Sequence, residues 1–222
     1  MPRASLHARL ARVASRLAWR YGRPRRRRQD PLDTLTETIL SQNTSDLNSG
    51  RAFASLKAAY PRWEQAARAP VASLERTIRS GGLARIKSRR IRLALQGVKA
   101  RAGGYDLGVL RRLPQTEADA WLCGLPGVGP KTRACVLLFA CEQAAFPVDA
   151  HVLRIARRAG LVPPRASAER SHALLGPAVP QGRHLDLHLN LIRLGRERCR
   201  PRAPECPGCP IRPECDHGRR AA

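Results

Sequence analysis

The chain has 222 residues, enough to bury a core of its own in one domain or two small ones. Lysine and arginine total 41 against 17 acidic residues, a formal charge of +24, which is the electrostatic footprint of a protein that meets a polyanion. Four of the seven cysteines crowd into one stretch near the C-terminus and no apolar run approaches spanning length, which sets aside a secreted disulfide scaffold and a transmembrane protein. Nucleic acid is the first reading of the charge and an anionic membrane surface the runner-up; non-specific affinity should fall steeply with salt.

Residues 1–30 hold ten arginines and a single acid, Asp30. Leu6, Leu10, Val13 and Leu17 share one helical face, which predicts a docked N-terminal helix followed by a mobile basic arm, Arg23 to Arg28. The same Arg-rich amphipathic stretch superficially fits a mitochondrial transit peptide. Asp30-Pro31 is an N-cap followed by a proline at the first helical position, and starts a helix through Leu32, Leu35, Ile39 and Leu40. The polar turn Ser41-Gln42-Asn43-Thr44 follows, and Asp46 reads as the cap of a helix carrying Phe53, Leu56 and Tyr60. Trp63 and the stretch from Leu74 to Ile78 mark two short helices, the second closed by Gly81-Gly82. Ile86 to Val98 is a long helix studded with Lys87, Arg89, Arg90, Arg92 and Lys99 that stops at Gly103-Gly104, and Thr116 with Asp119 is predicted to cap the short helix after it.

Residues 125–132 read Leu-Pro-Gly-Val-Gly-Pro-Lys-Thr. Gly127 and Gly129 flank one apolar residue, Val128, so the backbone can make a turn that a β-carbon would obstruct. Pro130 opens a helix where a missing N–H costs nothing, and Ala134, Val136, Leu137, Leu138, Phe139 and Ala140 continue it as a buried segment. The free N–H groups at such a helix start can hold a phosphate. Lys131 sits in the first turn, where the helix dipole disfavours a protonated amine and so favours a nucleophilic one. Lysine occurs only at positions 57, 87, 99 and 131 of this Arg-rich chain, which makes the placement informative; the bland alternative is a lysine that touches phosphate. Asp149 opens the next helix (His151, Val152, Ile155), and a carboxylate at a helix N-terminus stays ionised. His151 reads as structural or phosphate-facing. Helices are predicted from Ala168 to Leu175 and from about Leu185 to Leu194. No stretch alternates with period two, so the fold class is all-α.

Cys199-x6-Cys206-x2-Cys209-x5-Cys215 gathers four thiolates in a segment that Pro201, Pro204, Pro207, Pro210 and Pro213 keep out of helix. Four soft ligands suit an iron–sulfur cluster or tetrahedral zinc; zinc favours closely spaced pairs, and only Cys206 and Cys209 make one. Cys123, Cys135 and Cys141 read as inert core residues.

The Gly-Val-Gly hairpin with Lys131, followed by Val148-Asp149-Ala150-His151, resembles the helix-hairpin-helix plus Asp signature of the endonuclease III family of DNA glycosylases, and the cysteine spacing is similar to that family's [4Fe-4S] loop. The resemblance runs from about Leu40 to Cys215. It implies two helical lobes with a DNA groove between them: a six-helix barrel over residues 31–143 containing the helix-hairpin-helix, and a discontinuous cluster domain made of residues 1–30 and 144–222. Lys131 and Asp149 would be the catalytic pair at the mouth of that groove, and Cys199, Cys206, Cys209 and Cys215 the ligands of a structural [4Fe-4S] cluster. Gln42 would fill the space left by an extruded nucleotide, which its donor-and-acceptor amide suits, and Leu83 would wedge between bases. Gly127, Val128, Gly129 and Thr132, with Arg198, Arg200 and Arg202 of the cysteine loop, would hold the DNA backbone.

The implied activity is that of a bifunctional DNA glycosylase and abasic-site lyase that removes oxidised or saturated pyrimidines, such as thymine glycol, from double-stranded DNA. Its partner would be DNA with damaged bases or abasic sites, and no membrane. The protein would act as a monomer in the bacterial cytoplasm, associated with the nucleoid. Rival readings are a monofunctional alkylated-base or mismatch glycosylase of the same fold, a relative that excises adenine opposite oxidised guanine (which would lack the hairpin lysine), and a non-catalytic helix-hairpin-helix DNA-binding module. Aromatic residues are scarce, three each of Trp, Tyr and Phe, and none lies within these motifs as a stacking platform for a flipped base, so base preference is open.

Overall fold

Apolar residues at helical spacing build the whole architecture, and no strand occurs among the described residues, 3–221, of the computed structural model. The chain divides into two units, Met1–Arg27 with Ala144–Ala222, and Arg28–Gln143. The first helix, α1 (Arg3–Tyr21), belongs to the terminal unit. The central unit follows with α2 (Pro31–Leu40), α3 (Asp46–Ala59), α4 (Trp63–Arg68), α5 (Val71–Thr77), α6 (Ala84–Ala102), α7 (Gln115–Cys123) and α8 (Pro130–Cys135). The chain returns to the terminal unit for α9 (Ala150–Ala159), α10 (Ala168–Leu175), α11 (His184–Glu197) and α12 (Asp216–Arg220). None of these helices is long and apolar enough to cross a membrane.

In the central unit α2 is the hub. Asp30 caps it, its carboxylate accepting from the N–H groups of Leu32 and Asp33 at 2.9 Å. Leu32, Leu35, Ile39 and Leu40 are buried against α3, α6 and α8. Several local expectations need correction. The cap of α3 is Ser45, whose Oγ accepts from Asn48 N–H at 3.3 Å, and Asp46 is the first helical residue. Pro114 precedes α7 with no side-chain cap, and Asp119 instead pairs with Arg133 at 2.9 Å. Cys123 is exposed, whereas Cys135 and Cys141 are buried. The single helix expected after Pro130 gives way at Val136 to a π turn, Val136–Ala140, closed by Cys141 N–H on Val136 C=O at 3.1 Å. Val136, Leu137, Leu138 and Ala140 are all buried.

In the terminal unit the predicted face of α1 is buried: Leu6, Leu10, Val13 and Leu17 share a core with Val152, Ile155, Leu187, Leu191 and Leu194. Arg9 is buried with them, 7% exposed. Its guanidinium donates to the carbonyls of Ala159 (2.5 Å), Gly160 (3.3 Å) and Glu214 (2.6 Å) and pairs with Asp216 (2.6 Å). One cation thus closes the C-terminus of α9, where the dipole welcomes it, and fastens the end of the cysteine loop to α1. The segment expected to begin a mobile arm is tied as well: Asn190 Nδ2 donates to Gly22 C=O at 3.0 Å, and Arg23 lies 4.0 Å from the Asp186 carboxylate.

Candidate functional site

The two hairpin glycines do different work. Gly127 has φ +76°, a conformation that favours glycine, and Arg90 packs against it. Gly129 has φ −80° and ψ 174°, which any residue adopts, and a β-carbon there would meet nothing within 4 Å. Its lack of a side chain leaves open space before the first N–H groups of α8. Val128 between them is buried and anchors the turn.

Lys131 is the second residue of α8 and half-buried; its Nζ lies 3.5 Å from Ser41 Oγ, the outer limit of a hydrogen bond. Thr132 is buried, and its Oγ1 receives Gln42 Nε2 at 3.5 Å. Gln42 Oε1 accepts from Arg90 Nη1 at 2.6 Å. Ser41, Gln42, Thr132 and Lys131 therefore form one group, with Arg90 setting which way the Gln42 amide faces.

Leu83 is 51% exposed although it is a large apolar residue. It follows Gly82 (φ +65°) and is itself left-handed at φ +50°, a conformation that costs a leucine about 1–2 kcal/mol. Its carbonyl accepts from the N–H groups of Ile86 and Lys87 at 3.0 Å. Lys87, expected among the basic studs of the helix surface, is 1% exposed. Its Nζ donates to Leu40 C=O at 2.6 Å and Gly81 C=O at 2.7 Å, and burial pushes its pKa down from the usual lysine value.

In the terminal unit Asp149 caps α9, its Oδ1 accepting from Val152 N–H at 2.7 Å. Two histidines hold the backbone that presents it: His188 Nδ1 donates to Pro147 C=O at 3.0 Å, and His172 Nε2 accepts from Val148 N–H at 3.2 Å. His151 has a packing role: its Nδ1 accepts from Arg154 at 3.0 Å, and a β-carbon at Gly195 would collide with it. Arg154 also donates to Gly195 and Cys199 carbonyls at 2.9 and 2.8 Å, joining α9 to α11 and the cysteine loop.

Cys199, Cys206, Cys209 and Cys215 line one pocket, walled by Ile155, Leu194 and Ile211. Burial pushes the Cys209 thiol up to about 11; a backbone N–H from Ile211 opposes this, and the charges of Cys215, Cys199 and Cys206 add to it. Arg158 Nη1 lies 3.3 Å from Cys199 Sγ, and Gly218 N–H donates to Cys215 Sγ at 3.3 Å. Among the described residues no three His, Cys, Asp or Glu side chains converge closely enough for one metal ion. Arg198 and Arg200 turn to Glu205 within the loop, at 3.7 and 3.3 Å, and Arg202 is exposed.

Lys87, Arg90, His172 and His188 were not among the residues singled out for the site. Lys87 had a readable signal: with Ile91, Leu95 and Val98 it lies on the buried stripe of α6 at helical spacing. The histidines had none, because their partners are backbone groups distant in sequence.

A helix-hairpin-helix turn with a lysine just inside the following helix, an aspartate capping the next, and a four-cysteine loop define a class. The chain belongs to the HhH-GPD superfamily of base excision DNA repair proteins, whose family model matches residues 36–181. It is 32% identical over 191 residues to the endonuclease III of Thermotoga maritima, spanning 86% of this chain and 85% of that one. It is 41% identical over 165 residues (74% of this chain) to an Arabidopsis thaliana protein carrying a provisional DNA glycosylase name, and the match spans only 56% of that protein's length. A solved non-covalent endonuclease III–DNA complex superposes with a TM-score of 0.79 at 26% identity, covering 99% of this chain and 97% of that one. The fold is accordingly that of the endonuclease III branch of base-excision DNA glycosylases.

Proposed function

We propose that the protein is a bifunctional DNA glycosylase and abasic-site lyase that acts, as a monomer, on oxidised or saturated pyrimidines in duplex DNA. The observation that carries this reading is Lys131: a half-buried amine in the first turn of α8, held only loosely by Ser41, just past a glycine with open space before it. The target nucleotide leaves the stack, since its C1′ is unreachable inside a duplex. Lys131 Nζ, as the free amine, bonds to C1′ while the C1′–N bond breaks, and the base departs with that electron pair and takes a proton from water. Asp149 offsets the positive charge that develops on the sugar and accepts the proton that the attacking nitrogen sheds. Ring opening breaks C1′–O4′, the oxygen taking the proton that Asp149 accepted, and leaves an iminium between Lys131 and C1′. The iminium acidifies C2′–H; loss of that proton expels the 3′ phosphate as the C3′–O bond breaks, and water returns Lys131 as an amine.

Cys199, Cys206, Cys209 and Cys215 would hold a [4Fe-4S] cluster. The fit rests on the donor set: four thiols, the soft ligands such a cluster takes, line one pocket, with the Arg158 guanidinium 3.3 Å from Cys199 Sγ. Such a group would supply a covalent tie for the loop; glycosidic cleavage and elimination transfer no electrons. Of the loop arginines proposed as phosphate contacts, Arg202 is exposed, whereas Arg198 and Arg200 would have to leave Glu205.

Borohydride trapping on duplexes carrying thymine glycol, uracil, alkylated adenine or an abasic site tests the reading. A covalent adduct with thymine glycol and abasic duplexes that disappears in Lys131→Ala is expected. Base release with no adduct would make the protein a monofunctional glycosylase, and binding without either would make it a DNA-binding module.

A further inference from the structure

We propose that Lys87 is a positioning residue: its buried ammonium straps together the two turns that carry Gln42 and Leu83 and sets their spacing. This rests on the reading that those two side chains enter the duplex. The geometry is paired. Leu40 C=O, on Nζ at 2.6 Å, lies two residues before Gln42; Gly81 C=O, on Nζ at 2.7 Å, lies two residues before Leu83. Lys87 grips the second turn again through its main chain, its N–H donating to Leu83 C=O at 3.0 Å. Gly81 lets its own turn sit close on α3, since a β-carbon there would stand 3.0 Å from Ala52 Cβ.

The chemistry of the choice supports a role beyond packing. Lys87 lies on the apolar stripe with Ile91, Leu95 and Val98, where a methionine would fill the same space without burying a charge. Both of these hydrogen bonds go to carbonyl oxygens, one of them at the C-terminal end of α2, where the helix dipole favours a cation. An ammonium with freely directed donors can draw two carbonyls from separate turns to one point. Leu83 is held in a left-handed conformation while half its surface faces solvent, so its turn needs a brace.

The test uses the full chain with its cysteine loop intact and measures binding, so it does not depend on turnover. Fluorescence titrations compare an intact duplex with one holding a tetrahydrofuran abasic analogue opposite 2-aminopurine, whose emission reports unstacking. Gln42→Ala and Leu83→Ala are expected to lower the preference for the abasic duplex. Lys87→Met is expected to lower it about tenfold and to quench the 2-aminopurine change, with no further loss in the Gln42→Ala/Leu83→Ala background. Should Lys87→Met fail to fold, Lys87→Arg serves. Its planar fork keeps the charge but not the convergence on two carbonyls, and a loss of preference of about threefold is expected. An unchanged preference in the folded variant, or an equal further loss in the double-variant background, overturns the proposal. If neither Gln42→Ala nor Leu83→Ala alters the preference, the underlying reading falls and the proposal with it; if they do and the Lys87 variant does not, the proposal alone falls.

Discussion

Two turns of the central unit have the same plan and opposite outcomes. Each runs through a left-handed glycine, Gly82 or Gly127, into a helix start, and each is followed within a few residues by one of the chain's rare lysines. At the start of α8 the lysine is the second helical residue, half-buried beside a serine hydroxyl at 3.5 Å. At the start of α6 it is the fourth helical residue, one turn beyond Leu83, and disappears into the core on two carbonyls. Position on the helix decides between a lysine available for chemistry and one that braces. The second residue projects beside the open end, whereas the fourth joins the buried stripe.

The sharpest way to break this comparison is to remove the exposed amine. Lys131→Ala is expected to lower abasic-strand cleavage at least about 100-fold while binding of an abasic duplex stays within about threefold; gel assays and titrations read the two separately. Asp149→Asn sharpens it from the terminal unit. Asparagine caps a helix as well as aspartate, so stability by urea denaturation should move by less than about 0.5 kcal/mol while cleavage falls about 100-fold. For the buried amine the order reverses. Lys87→Met leaves two buried carbonyls unsatisfied and is expected to cost about 2–4 kcal/mol in the same denaturation. Because burial lowers the folded-state pKa of Lys87, the unfolded chain binds more protons between that value and the ordinary lysine value near about 10.4. The stability difference between wild type and Lys87→Met should therefore grow as pH rises through that window and shrink as it falls. The glycines give the smallest effects: Gly127→Ala is expected to cost about 1–2 kcal/mol, and Gly129→Ala less than about 0.5 kcal/mol with weakened DNA binding.

Residues whose roles are set by local rules were legible in the sequence: the Asp30 and Asp149 caps, the buried face of α1 and the end of α6 at Gly103. What escaped depends on long-range partners. Arg9 reads as one more N-terminal arginine until Ala159, Glu214 and Asp216 close around it. Asp119 looks like a cap because the sequence does not reveal Arg133 as its partner. The π turn after α8 has no local signal, since Val136, Leu137, Leu138 and Ala140 read as an ordinary buried helix. Lys87 is legible in principle from its place on the apolar stripe, yet in so basic a chain its charge reads as one more surface cation.

The most direct test of the central claim is to locate the covalent bond. An abasic duplex is trapped with borohydride, the protein is digested, and the modified peptide is sequenced by mass spectrometry. The account expects a single adduct on the Lys131 side chain. An adduct on any other amine, or none under conditions where the strand is cut, would contradict it.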